Sequence, residues 1–197
     1  MLLLVGLGNP GKEYAGNRHN IGSMAINEIV RHHGFSSSRT RSRPNGVFSE
    51  GMIEEIKVVT LKPLTYMNES GQAVGEALRY WNLESDQIFV IHDELDLAPG
   101  KVKAKLGGGD AGHNGLRSIT SHIGADYWRI RLGVGHPGEK ARVTGHVLHD
   151  FTKTDKVWVA RTVEAVAEAI SLLLTGNAAA FSTQVTLLTQ SHTPNRL

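Results

Sequence analysis

The run Ile88-Phe89-Val90-Ile91 narrows the folds open to this chain more than any other feature. Consecutive apolar, β-favouring residues cannot form a strand with one wet face, so both faces must be covered. Such a strand belongs at the centre of a sheet lying between helices. A second run of this kind, Leu2-Leu3-Leu4-Val5, leads into Gly8-Asn9-Pro10-Gly11, a turn signature.

Between these runs the apolar period changes from two to about 3.6. Ile21, Met24, Ala25 and Ile29 share one helical face, and Gly34 supplies a stop. Val74, Ala77, Leu78 and Trp81 mark a second helix, and Leu116, Ile119 and Ile123 a third. A long stripe runs from Val159 through Val163, Val166 and Ile170 to Leu173, ending near Gly176. Residues 47–53 and 57–61 form a hairpin, and 101–106 and 128–134 are further strands. Strands interleaved with helices, plus at least one antiparallel hairpin, predict an α/β fold: a single domain over residues 1–197 with a twisted mixed β-sheet flanked by α-helices. Three segments carry too few core residues to be assigned an element. The polar stretch 36–46 reads as a mobile basic loop, the segment after Gly138 as a small lid, and residues 183–197 as a loosely ordered tail.

Cysteine is absent, which excludes disulfides and thiolate metal ligation and fits a reducing compartment. The run at 2–5 is too short for a signal peptide or a membrane span, so the cytoplasm is the expected location and no membrane is expected as partner. The formal net charge of +2 is too small to announce nucleic acid. Placement of the basic residues is more telling. Lys101, Lys103 and Lys105 share one strand face, and Arg129 and Arg131 repeat that geometry. With Arg39, Arg41 and Arg43 they suggest a footprint for a phosphate backbone, although edge strands also use lysine to discourage pairing.

Polar clusters sit where strands end. Asn9, Tyr14, Arg18, His19 and Asn20 follow the first strand, and His92-Asp93-Glu94 closes the central one. The segment 106–116 surrounds His113 and Asn114 with five glycines, a composition suited to backbone wrapped closely around a ligand. In open α/β sheets ligands bind beyond the carboxyl ends of strands, so the first two clusters could converge there. His19 and Asp93 then have two readings. They are a general base with an orienting carboxylate, or a helix-capping histidine and a strand-terminal aspartate. With no cysteine and no Gly-x-Ser-x-Gly elbow, water is the natural nucleophile. Asn9, Asn68 and Asn114 offer amides to a developing oxyanion. Asn68 and Asn114 also precede helical runs, where asparagine is a leading N-cap, and pattern alone favours capping for both. None of the ten histidines has zinc-motif spacing, and no metal is expected.

The ordered set of these motifs resembles the bacterial-type peptidyl-tRNA hydrolase family. It runs from Gly6-Leu7-Gly8-Asn9-Pro10-Gly11, Tyr14 and Arg18-His19-Asn20 through Lys62-Pro63, Thr65-Tyr66-Met67-Asn68 and Ser70-Gly71. It continues with His92-Asp93-Glu94-Leu95-Asp96, the segment 106–116 and residues 129–138. The resemblance implies a monomeric enzyme that hydrolyses the ester joining a peptide to the terminal ribose of tRNA, with no metal or organic cofactor. By position, His19 matches the proton-accepting histidine, Asp93 its supporting carboxylate, and Asn9 the residue separating N-blocked peptidyl-tRNA from free aminoacyl-tRNA. Tyr14, Tyr66, Met67, Asn68 and Asn114 match substrate-contacting positions. Lys105 and Arg131 match positions contacting acceptor-stem phosphates. Two alternatives from other classes remain: an RNA-binding module without turnover, and a metal-dependent esterase. Residues 176–197 depart from the usual ending of the family.

Overall fold

The computed structural model describes residues 1–190. Seven strands form one mixed sheet. They are β1 (Leu2–Gly6), β2 (Arg39–Ser42), β3 (Asn45–Ile53), β4 (Ile56–Pro63), β5 (Ile88–Glu94), β6 (Val102–Leu106) and β7 (Trp128–Gly133), in the spatial order β2-β3-β4-β1-β5-β7-β6. The four inner strands β4, β1, β5 and β7 are parallel, and β2, β3 and β6 add antiparallel at the edges. Every residue of β5 is buried, as its unbroken apolar run requires.

Side chains of the central strands alternate between two cores. Leu3, Val5, Ile88 and Val90 pack against α2 (Ser70–Trp81) and α3 (Asn114–Ile123). Leu4, Phe89 and Ile91 pack on the other side, against α1 (Ile21–His32), α5 (Lys153–Leu174) and α6 (Ala178–Gln190). Burying one such side chain contributes about 1.5–3 kcal/mol, so the centre of the sheet is the costliest place to alter. Local signals set the ends of these helices. Asn82 closes α2 in the left-handed conformation (φ 51°), donating its N–H to the carbonyls of Leu78 and Arg79. Thr152 and Asp155 open α5 as a reciprocal capping box.

Two expected loops are regular structure. Residues 39–42, read as part of a mobile basic loop, form the edge strand β2, with Arg39 opposite Phe48. Arg41 lies over the rings of Phe48, Tyr80 and Trp81 at 5.3–5.8 Å, so its guanidinium is engaged in stacking rather than held free for phosphate. Residues 183–190, read as tail, belong to α6. Asn177 caps that helix by accepting the Ala180 N–H, and Phe181 and Val185 are buried in the core it shares with α5. The remainder of the expected tail, 191–197, lies outside the described residues.

The carboxyl ends of β1, β4, β5 and β7 lie at one end of the molecule. One close approach ties α1 to this end. A Cβ on Gly22 would lie 2.1 Å from the carbonyl oxygen of Ile91, so only glycine lets the first turn of α1 rest on the backbone of β5. That contact brings residue 19, one turn earlier, beside residue 93.

Candidate active site

His19 sits on a single 3-10 turn, Arg18–Asn20, that runs into α1. The turn is held from behind. Arg18 donates to the carbonyls of His149 and Asp150 and pairs with Asp155 at 3.1 Å, and the Asn17 amide donates to Asp150 at 2.7 Å. His19 Nδ1 lies 2.9 Å from each carboxylate oxygen of Asp93. His19 caps no helix, and its ring faces the carboxylate of Asp93 instead.

Sequence reasoning gave His113 no role. It terminates the glycine-rich segment and is the N-cap of α3: its Nδ1 accepts the N–H groups of Gly115 and Leu116 at 3.1 and 3.4 Å. That leaves Nε2 protonated, and it donates to Asp93 Oδ1 at 2.9 Å. A histidine N-cap is not among the usual capping signals, so pattern could not supply this role. It also corrects the capping expectation for Asn114, which occupies the first helical position. Asn68 lies inside a 3-10 turn, Met67–Glu69, and its side chain caps nothing.

Asp93 thus accepts from two imidazoles while almost fully buried. Burial pushes its carboxyl up. The charges of His113 and His19, and their two hydrogen bonds, outweigh that and hold it well below the usual carboxylate range. His92 behaves oppositely. Its Nδ1 donates to the Asp93 carbonyl at 2.8 Å, its Nε2 is buried without a partner, and burial, with His113 alongside, pushes it down to about 4.

A stability consequence follows. In the unfolded chain His92 takes up a proton near pH 6.5, but in the folded protein only near 4. Between these values the unfolded state binds the extra proton, so acidification favours unfolding. The contribution is intact above about pH 6.5, and by pH 4 about 3 kcal/mol of it is lost. Urea denaturation at pH 7 and 4.5 should show a smaller acid loss in His92→Asn than in the wild type. Equal losses in both would remove His92 as the cause.

His19, Asp93 and His113 offer ligand atoms within 4.8 Å of one another. Hydrogen bonding nevertheless describes the trio better than metal ligation. A cation on His113 Nε2 would need its proton moved to Nδ1, where two backbone N–H groups already donate.

The pair opens onto a cleft of about 610 Å³. Asn9, Tyr66, Met67, Asn68 and Asn114 line it with His19 and Asp93, so seven of the ten expected site residues converge. Tyr14 stands at the rim, edge-on to the exposed ring of Tyr66 at 6.5 Å. The expected lid, comprising a 3-10 turn (Lys140–Arg142) and α4 (Val143–Val147), forms one wall through Val143, Thr144 and Val147. Lys105 and Arg131 stand apart. Lys103 and Lys105 are exposed on one face of the outermost strand β6, as the alternation requires, and Lys101 is exposed just before it. Arg131 pairs with Glu94 at 2.9 Å beside the cleft. The matching expectation for Arg129 fails. It is buried, lies 4.0 Å over Tyr127, and donates to the carbonyls of Gly108, Ala125 and Tyr127, pinning the start of the glycine segment.

Comparison with known proteins identifies the family. The sequence profile of the peptidyl-tRNA hydrolase family matches residues 3–193. A peptidyl-tRNA hydrolase of Parvibaculum lavamentivorans is 56% identical over 188 residues, covering 95% of this chain and 91% of the relative. That of Acidiphilium cryptum is 57% identical over 191 residues, covering 96% and 98%. The crystal structure of the peptidyl-tRNA hydrolase from Acinetobacter baumannii superposes with a TM-score of 0.88 at 38% identity, over 94% of each chain. By sequence and by fold, this chain belongs to the peptidyl-tRNA hydrolase family.

Proposed function

We propose that this protein hydrolyses the ester between the peptide and the terminal ribose of N-blocked peptidyl-tRNA, using water activated by His19. The observation that carries this reading is the buried His19–Asp93 pair at the floor of an amide-lined cleft. Asp93 keeps the proton of neutral His19 on Nδ1 and leaves the Nε2 lone pair for a water molecule. As that water attacks the ester carbonyl, His19 becomes an imidazolium facing an ionised carboxylate. His113 holds the carboxylate from its other side. Asn68 donates to the tetrahedral oxyanion, and the amide of Asn9 reads the carbonyl of the N-blocking group. The Tyr14–Tyr66 pair gives the CCA bases an aromatic surface, and Met67 and Asn114 line the same cleft. No side chain forms a bond to the acyl group.

Lys105, with Lys103 beside it, contacts acceptor-stem phosphates, and Arg131 serves the same end from its pair with Glu94. Each phosphate contact adds about one unit to the slope of log binding constant against log salt. Lys105→Ala should therefore weaken tRNA binding and lower that slope by about one, with the bond-breaking step unchanged once substrate is bound. An unchanged slope would remove Lys105 from the phosphate face. The enzyme works as a monomer in the cytoplasm. Among the described residues no helix is long and apolar enough to cross a membrane.

The reading is tested by offering N-acetyl-aminoacyl-tRNA and unblocked aminoacyl-tRNA side by side. Rapid cleavage of the blocked ester with slow cleavage of the other supports it. Cleavage of neither, or of both alike, would overturn it. A strong chelator should leave the rate unchanged, which separates this chemistry from that of a metal-dependent esterase.

A further inference from the structure

We infer that Asn20 is a positioning residue that sets the enzyme's preference for N-acylated over free aminoacyl esters, by clasping the backbone of Asn9 so that only its amide NH₂ is left for the substrate. This deepens the proposed hydrolysis and rests on that reading.

The clasp has two points. Asn20 Oδ1 accepts the backbone N–H of Asn9 at 3.0 Å, and Asn20 Nδ2 donates to the backbone carbonyl of Asn9 at 3.0 Å. One carboxamide therefore satisfies both main-chain groups of one residue, as a neighbouring strand would, just beyond the end of β1. Asn20 is buried, and its side chain lies against Gly8. A Cβ on Gly8 would come within 2.9 Å of the Asn20 Cγ and Nδ2, so glycine there is a condition for the clasp.

A third bond orients the Asn9 side chain. The Met67 N–H donates to Asn9 Oδ1 at 2.8 Å, which fixes which end of the amide is which. The acceptor end is taken, and the NH₂ end has no protein partner among the described residues, while Asn9 lines the cleft. A donor in this position separates the two candidate substrates. An N-acyl group presents a carbonyl acceptor. A free aminoacyl ester presents an ammonium, which has only donors and carries a positive charge. The first completes a hydrogen bond, and the second sets donor against donor. Discrimination thus depends on an orientation that the Met67 N–H sets and that Asn20, by fixing the Asn9 backbone from behind, holds in place without touching substrate. Were the backbone of Asn9 released, its amide could turn, and its oxygen would then favour the wrong substrate.

The test compares kcat/KM for N-acetyl-aminoacyl-tRNA and unblocked aminoacyl-tRNA in the wild type, Asn20→Asp and Gly8→Ala. Asn20→Asp preserves volume and the acceptor for the Asn9 N–H but opposes an oxygen to the Asn9 carbonyl. Gly8→Ala leaves Asn20 in place and displaces its carboxamide. Both should lower the ratio of blocked to unblocked kcat/KM by about tenfold or more, the scale of one lost hydrogen bond and one unfavourable contact. A residue that merely filled space would leave that ratio unmoved in Asn20→Asp. A ratio within about twofold of wild type in either folded variant would overturn the inference, since that is well below one hydrogen bond. Hydrogen exchange at the Asn9 amide in the wild type needs no variant to fold. Slow exchange is expected, and exchange at the rate of a free chain would also overturn it. If the wild type cleaves neither ester, the hydrolytic reading itself fails. If it is selective but the variants remain equally so, only the assignment to Asn20 fails.

Discussion

His19→Ala lowers kcat for N-blocked peptidyl-tRNA by about 10²–10⁴-fold, the usual contribution of a positioned general base. In free energy this is about 3–5 kcal/mol of transition-state stabilisation. The loss should fall on kcat rather than on binding. His19 sits at the cleft floor, 9% exposed, whereas the exposed lysines proposed to contact phosphate lie on the edge strand β6. Substrate affinity, read by tRNA competition, should stay nearly unchanged. Single-turnover hydrolysis within a few-fold of wild type would show that another group removes the proton.

Asp93→Asn is the second large effect, and it arises differently. The asparagine side chain keeps an oxygen for His113 but presents an N–H where the carboxylate now faces His19 Nδ1. That arrangement favours the tautomer with the proton on Nε2 and so removes the lone pair that should receive the proton from water. It also removes the negative charge that stabilises the imidazolium as it forms. Together these cost on the order of 10³–10⁴-fold in kcat. The nearly isosteric exchange should leave the fold intact by circular dichroism, so an inactive but folded variant is the expected outcome. Folded protein retaining a tenth or more of wild-type kcat would mean that Asp93 only holds the loop. That threshold is roughly 1.4 kcal/mol of barrier.

The parts of this molecule legible in its sequence are those governed by burial. Residues 2–5 and 88–91 announce central strands because covering both faces leaves no place for a polar residue. The convergence of Asn9, His19, Asn68 and Asp93 follows from parallel topology, which gathers the loops after β1, β4 and β5 at one end. Edges were harder to read. Arg39-Thr40-Arg41-Ser42 has the composition of a loop yet pairs as β2, because an edge strand keeps one row of backbone groups in water and tolerates polar side chains. The apolar spacing of α6, Phe181, Val185 and Leu188, is diluted by serine and threonine. Alternation put Arg129 and Arg131 on one face but could not say what they would meet there. Arg129 turned onto Tyr127 and three carbonyls. His113 caps α3 at the ordinary spacing but with a residue type seldom found there, and Asn20 reaches the backbone of Asn9 across a turn, a contact with no fixed sequence spacing.

Solvent oxygen tests directly whether the oxygen added to the acyl group comes from water or from the Asp93 carboxylate. With enzyme in excess over N-acetyl-aminoacyl-tRNA in ¹⁸O-water, every released N-acetyl-amino acid should carry one heavy oxygen in its carboxylate after the first turnover. No label should appear in the protein fragment that contains Asp93. Unlabelled product in that first turnover, with heavy oxygen in the Asp93 carboxylate, would contradict activation of water by His19.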